Sequence, residues 1–298
     1  MENLIIYEKP KLNNPSLVGG FAGWPNAGEI STGSITYLKN KLEAKKFAEL
    51  KGEEFYIFQL PGAESLRPYG VIEGGIVKDI KPHLNEFYYW KNEKGGDLVF
   101  FRGDEPQLNP EKYIDSFLKL AEQVGVKRIY TVGGVHEKIP HTRKPRISAT
   151  VSDPKLKEEL SEYDIEFIDY KGPVSIHTML PSACIRKGME SIALWGSSTY
   201  YPEHNIIVSR NPKSWYAMVE MLTKMLQVDI DLEDLRKLGE EVDTRMDQLF
   251  NQVPGLSEYV EKLEEEYDRE RKPMPVDLES KEIIREIEEQ LRQQRKAE

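Results

Sequence analysis

Gly19-Gly20-Phe21-Ala22-Gly23-Trp24-Pro25-Asn26-Ala27-Gly28-Glu29-Ile30-Ser31-Thr32 follows the apolar run Leu4-Ile5-Ile6 and reads as a strand, a glycine-rich turn and a helix start. That order is the opening unit of an α/β protein and the usual place of its site. Gly23 and Gly28 have the separation of a phosphate-cradling loop, yet the lysine position of such a loop holds Glu29. A carboxylate there repels the phosphate a lysine would attract. The loop has the form of a nucleotide site and the wrong charge for one. Its other reading is a tight turn whose glycines allow positive φ and close backbone approach.

Outward from this stretch, the chain to residue 228 alternates strands with helices. Strands are expected at Leu4–Tyr7, Ser16–Ala22, Glu54–Phe58, Asp97–Phe101, Arg128–Val132, Glu166–Asp169 and Ser191–Gly196. Gly70–Ile76 and Glu86–Trp90 read as a hairpin or edge pair. Helices are expected at Glu29–Leu42, Pro110–Gly125, Ile176–Lys187 and Ser214–Leu226. The strand–helix–strand run from Asp97 to Val132 implies parallel pairing with a right-handed crossover. The expected product is an α/β domain, a layered sheet flanked by helices, over residues 1–228, with a C-terminal helical extension over 229–298.

Charge separates the two parts. The chain carries a formal net charge of −10, and residues 229–298 hold 22 Asp/Glu against 12 Lys/Arg, so the first 228 residues are neutral. No basic face is available to release counterions from nucleic acid. The apolar runs are too short to span a bilayer, and the acidic first residues do not read as a signal peptide. A single cysteine, Cys184, leaves no internal disulfide and no cysteine-rich metal site. The expected location is the cytoplasm.

In the extension, Leu235, Leu238, Val242, Met246 and Leu249 recur at three and four residues, and Ile284, Ile287 and Leu291 repeat the pattern in a helix expected at Ser280–Gln294. A further helix is expected at Leu256–Arg271. These stripes are either the packed faces of a stabilising appendage or a surface for a partner or a second copy.

Candidate ligand or interaction residues gather on the rim formed by the strands' carboxyl ends: Trp24 and Asn26 in the glycine loop, Arg102 after a buried strand, and His141 with Arg143 in the loop Val135–Arg146. His136 and His141 lack the helical frame of a zinc motif, and no metal or cofactor is expected. No Gly-x-Ser-x-Gly elbow is present, and Cys184 among Leu180, Ala183 and Ile185 reads as a small buried hydrophobe, so no catalytic residue is assigned.

Taken together, Gly20–Gly28, Phe101-Arg102-Gly103-Asp104-Glu105-Pro106, Thr131-Val132-Gly133-Gly134, Pro140-His141-Thr142-Arg143 and Leu194-Trp195-Gly196 followed by Tyr201-Pro202 resemble the proteasome assembly chaperone PAC2 family, particularly its archaeal members. The resemblance covers about residues 1–228. It implies a phosphorylase/hydrolase-like α/β fold, a homo-oligomeric chaperone or adaptor without catalysis, and proteasome subunits or another assembly factor as partners. Some relatives are labelled ATP-grasp enzymes, so the alternative is a small-molecule or nucleotide-binding enzyme using the rim. The final residues, Lys296-Ala297-Glu298, depart from the hydrophobic–tyrosine–any-residue ending of many proteasome-binding partners, and the expectation is docking by another surface.

Overall fold

Four mutually parallel strands frame the computed structural model, which describes residues 3–58, 68–81 and 83–271. They are β2 (Ser16–Ala22), β7 (Leu98–Asp104), β8 (Arg128–Glu137) and β11 (Glu190–Tyr201). Leu17 to Phe21 are buried without a break, the mark of a strand covered on both faces. Toward one edge follow β6 (Asn85–Trp90), β3 (Lys45–Leu50) and β1 (Leu4–Ile6), antiparallel in sequence; toward the other follow β9 (Ile147–Val151) and β10 (Glu166–Phe167). The full order is β1-β3-β6-β7-β2-β8-β11-β9-β10, with the short β12 (Ile206–Ile207) paired to the end of β11.

Helices cover both faces. On one side α1 (Ile30–Lys41) and α5 (Pro212–Leu226) enclose Val18, Phe100, Val132 and Leu194, joined by α3 (Pro154–Leu160) through Leu156 and Leu160. On the other, α2 (Pro110–Gln123) and α4 (Ile176–Lys187) enclose Leu17, Phe21, Phe101 and Ile129. This is the expected layered α/β sheet flanked by helices. The β7–α2–β8 crossover is parallel as read, although β2 lies between its two strands.

The expected strand at Glu54–Phe58 is irregular backbone, with Phe55 and Tyr56 buried as plugs in the α2–α4 core. The strand of that region is β3, whose first residues Lys45 and Lys46 are exposed. β4 (Tyr69–Glu73) pairs not with β6 but with β5 (Ile76–Lys81), as a two-stranded sheet outside the main one. Main-sheet pairing of β6 with β7 and β3 is non-local, which a local pattern cannot report.

The chain divides into two compact units, residues 1–249 and 250–298. α6 (Glu233–Phe250) runs almost wholly in the first. Leu235 is buried in the α1–α5 core, with Leu232 and Leu238 packed against it. Asp234 accepts from the Tyr37 hydroxyl at 2.6 Å and from Lys41 at 3.0 Å. Val242 is half-buried and Met246 buried, while Leu249 is 60 % exposed. In the second unit, α7 (Leu256–Arg271) buries Leu256, Val260, Leu263 and Tyr267. Ile284, Ile287 and Leu291 lie outside the described residues.

Candidate functional site

The glycine loop leaves β2, passes through a 3-10 turn at Ala27–Glu29 and enters α1. Gly23 at φ 121° and Gly28 at φ 58° take conformations that favour glycine. Close approach does the rest. A Cβ on Gly28 would stand 2.4 Å from Ser198 Oγ, on Gly134 2.4 Å from Ala27 O, and on Gly20 2.5 Å from Ser31 O. The loop is pressed against β8 and β11.

Two amides that could cradle an anion, those of Trp24 and Thr32, are occupied from within, and the end of β2 is tied to α1. Phe21 N donates to Ser31 Oγ at 2.7 Å, Thr32 N to Asn26 Oδ1 at 3.0 Å, and Trp24 N to Glu105 Oε2 at 3.2 Å. Asn26 also donates through Nδ2 to Thr32 Oγ1 at 3.0 Å, so its side chain ties the loop to the first turn of α1. The Gly28 carbonyl accepts from Trp215 Nε1 at 2.8 Å and from Asn211 N at 2.9 Å. The carboxylate of Glu29 points outward, 4.0 Å from Arg210 Nε.

Glu105 is the protein's own anion here. Its second oxygen accepts from Ile176 N at 2.9 Å, at the start of α4, so a single carboxylate ties that helix to Trp24. Burial raises its carboxyl above the usual range, and the two amides pull it partly back. Trp24 itself stands 65 % exposed.

Beneath this clamp lies His177, fully buried between Phe21 and Trp195, with ring centroids at 5.3 and 5.1 Å. Neither ring nitrogen has a hydrogen-bond partner among the described residues, and burial pushes its pKa down to about 3. Gly133 makes the slot, since a Cβ there would meet the Trp195 ring at 2.5 Å. The imidazole behaves as an aromatic filler. No motif in the sequence singled it out.

Arg102 makes no hydrogen bond to Trp24 or Asn26 among the described residues and bonds Asp104 at 2.9 Å; the same carboxylate meets His83 Nδ1 at 2.8 Å. Arg102 also lines a groove of about 680 Å³ shared by α1, α5 and α6, with Lys41, Arg210, Trp215 and Leu238. On the other face of the sheet, the hydroxyls of Tyr56 and Tyr113 converge on Asn85 Oδ1 at 2.9 and 2.7 Å.

His141 is buried in a third network. Tyr201 Oη accepts from the His141 amide at 2.9 Å and meets Nδ1 at 2.6 Å, while Nε2 faces Asp247 Oδ1 at 2.9 Å. Lys213 donates to the His141 carbonyl and to Asp243 at 2.7 Å. Burial raises the Asp243 carboxyl, against the pull of Lys213. Asp243 and Asp247 belong to α6, so His141 and Lys213 hold that helix in place. Arg143 shares the loop, its amide closing a turn on Pro140 O at 3.2 Å.

A nucleophile is not prepared at Cys184, which is buried and whose thiol burial pushes up to about 11. Among the described residues no three His, Cys, Asp or Glu side chains are grouped to hold a metal ion, and no helix is long and apolar enough to cross a membrane.

Three solved structures share this architecture. A PAC2 family protein from Streptomyces avermitilis is 28 % identical, covers 83 % of this chain and 99 % of its own, and superposes with a TM-score of 0.71. A Mycobacterium tuberculosis proteasome-assembly chaperone homologue is 21 % identical over 82 % of this chain and 99 % of its own, with a TM-score of 0.71. Pyrococcus furiosus PbaB, an archaeal proteasome activator, is 24 % identical over 84 % of this chain and 99 % of its own, with a TM-score of 0.64. The sequence pattern of the PAC2 family itself matches residues 20–250, from the glycine loop to the end of α6, and the chain belongs to that family.

Proposed function

We propose that the protein is a non-catalytic assembly chaperone or adaptor of the PAC2 type, working as a homo-oligomer in the cytoplasm of an archaeon. Its partners are proteasome subunits or a second assembly factor. The observation that carries this reading is the loop's internal pairing: where an α/β protein would hold a phosphate, Asn26 and Glu105 occupy the amides of Thr32 and Trp24. Fold likeness to a proteasome-assembly chaperone homologue and to a proteasome activator supports the choice of client. What the rim offers instead is surface, with Trp24 exposed at its top. Affinity capture from source lysate, with the full chain and with residues 1–250 as baits, tests it. Recovery of proteasome subunits is the expected outcome, and recovery of neither these nor an assembly factor by either bait would sink the reading.

The groove beside Arg102, lined by Lys41 and Arg210 together with Glu29 and Asp234, favours a second reading, a site for a small ligand. A thermal-shift series with nucleotides and inorganic phosphate separates the two, because a ligand selective for the folded chain raises its melting temperature. No shift with any of them ends the ligand reading.

A further inference from the structure

Two anchors fix the backbone on either side of Trp24. The Ala22 carbonyl accepts from Glu105 N at 2.7 Å, and the Pro25 carbonyl accepts from Gly134 N at 2.8 Å. Between them, among the described residues, Gly23 and Trp24 have one hydrogen bond, from Trp24 N to Glu105 Oε2 at 3.2 Å. Gly23 makes room for it, since a Cβ there would stand 2.9 Å from the Glu105 Cβ and 3.1 Å from Oε2. At φ 121° this glycine is also a residue that can turn without steric cost. Exposed Trp24 is held in place by a single side-chain oxygen.

The two oxygens of that carboxylate are not equivalent. Oε1 takes the shorter bond, 2.9 Å from Ile176 N at the part-buried start of α4, while the bond to Trp24 is longer and open to solvent. An ionised carboxylate accepts at both oxygens, and protonation turns one of them into a donor. The proton settles where the bond given up is weaker and water can accept from the new O–H, which is at Oε2. Ile176 keeps its acceptor. Ser175 Oγ, which accepts from His177 N at 3.3 Å, caps the same turn.

The charged groups around this carboxylate are engaged elsewhere. Arg102 and His83 both turn to Asp104, Glu29 stands beside Arg210, and buried His177 is uncharged. On the approach to α4, Asp169 and Lys171 are exposed. What acts on Glu105 is its burial, which raises the carboxyl, and the two amides, which lower it. A carboxyl raised on folding binds its proton more tightly in the folded chain, so protonation here adds no drive to unfold. That sign is the reverse of the one for His177.

We propose that Glu105 is a proton-operated latch on the rim: ionised, it holds Trp24 and α4 together, and protonated at Oε2 it keeps α4 and lets Trp24 swing free. A partner that grips Trp24 meets a fixed indole above the transition and a loose one below it. The latch is independent of which partner that is.

Fluorine NMR on the chain grown with 5-fluorotryptophan tests it, because four tryptophans give four resonances and Trp24→Phe identifies the relevant one. From pH 7 to about pH 4 the Trp24 signal should move, with a midpoint above the ordinary glutamate value of about 4.3. Trp90 and Trp215 should stay still, and Trp195, beside His177, should move only at about pH 3. Glu105→Gln keeps one acceptor and replaces the other by a donor. In that variant Trp24 should already stand at its low-pH position and should not titrate. Amide exchange of the wild type, corrected for intrinsic rate, reads the same event without a variant. Protection at Trp24 should fall about tenfold through that midpoint while Ile176 stays protected. A Trp24 signal that does not titrate, one that titrates unchanged in Glu105→Gln, or equal loss of protection at Trp24 and Ile176 overturns the latch.

Discussion

Gly134 and His177 show how little freedom the rim leaves its residues. Alanine at Gly134 drives a methyl into the Ala27 carbonyl, a backbone atom that cannot swing away. Gly134→Ala should cost more than about 2 kcal/mol in urea unfolding. Gly70→Ala, where a Cβ meets open space, should change stability by less than about 0.5 kcal/mol. His177 adds a pH signature. Its folded pKa, about 3, lies below the unfolded value of about 6.5. The unfolded chain therefore binds the extra proton first, and stability falls as pH drops from about 6.5 toward 3. By pH 5 this one group should remove about 2 kcal/mol. His177→Leu should abolish that share of the loss with little effect at pH 7; equal acid sensitivity in the two proteins would refute the assignment.

At the scale of elements, α6 separates composition from packing. Its charge resembles that of the rest of the acidic extension, yet Leu235 sits in the core and Leu249 in solvent. Leu235→Ala should lower unfolding free energy by about 2–4 kcal/mol, and Leu249→Ala by less than about 0.5 kcal/mol. Equal losses would mean that α6 is not docked through that face. The leucine spacing was legible as an amphipathic stripe; the address of that stripe was not, because Tyr37, Lys41, His141 and Lys213, its partners, come from distant parts of the chain. Likewise β2 and α4 could be read residue by residue from Ser16–Ala22 and Ile176–Lys187. β3 was hidden because Lys45 and Lys46 open it on the exposed edge side of the sheet. Phe55 and Tyr56 imitate a strand because burial, not a ladder, selects their apolarity.

Across the whole molecule, the change in charge at residue 229 and the boundary between compact units at residue 249 do not coincide. Charge reports where solvent is met, whereas the unit ends where packing stops. Residues 251–255, all exposed and containing Pro254 and Gly255, join α6 to α7. Limited digestion with a non-specific protease should nick this stretch first and leave a folded fragment of about residues 1–250, identified by mass spectrometry. First cleavage within α6 would contradict the assignment of that helix to the first unit. For the candidate site, Asn26 and the glycines were correctly placed at a strand-to-helix turn. Their occupation by internal partners was not readable, because Glu105, Ser198 and Trp215 arrive from elsewhere in the sequence.

The bond from Trp215 to the Gly28 carbonyl spans 187 positions. During synthesis the N-terminal loop emerges early, but its lock leaves the ribosome only after most of the chain has been made. Until then the β2–α1 turn lacks Asn211 and Trp215, and Gly33 lacks the indole it packs against. The turn that begins the fold is therefore among the last to be finished, and a nascent chain stopped before residue 211 carries it open.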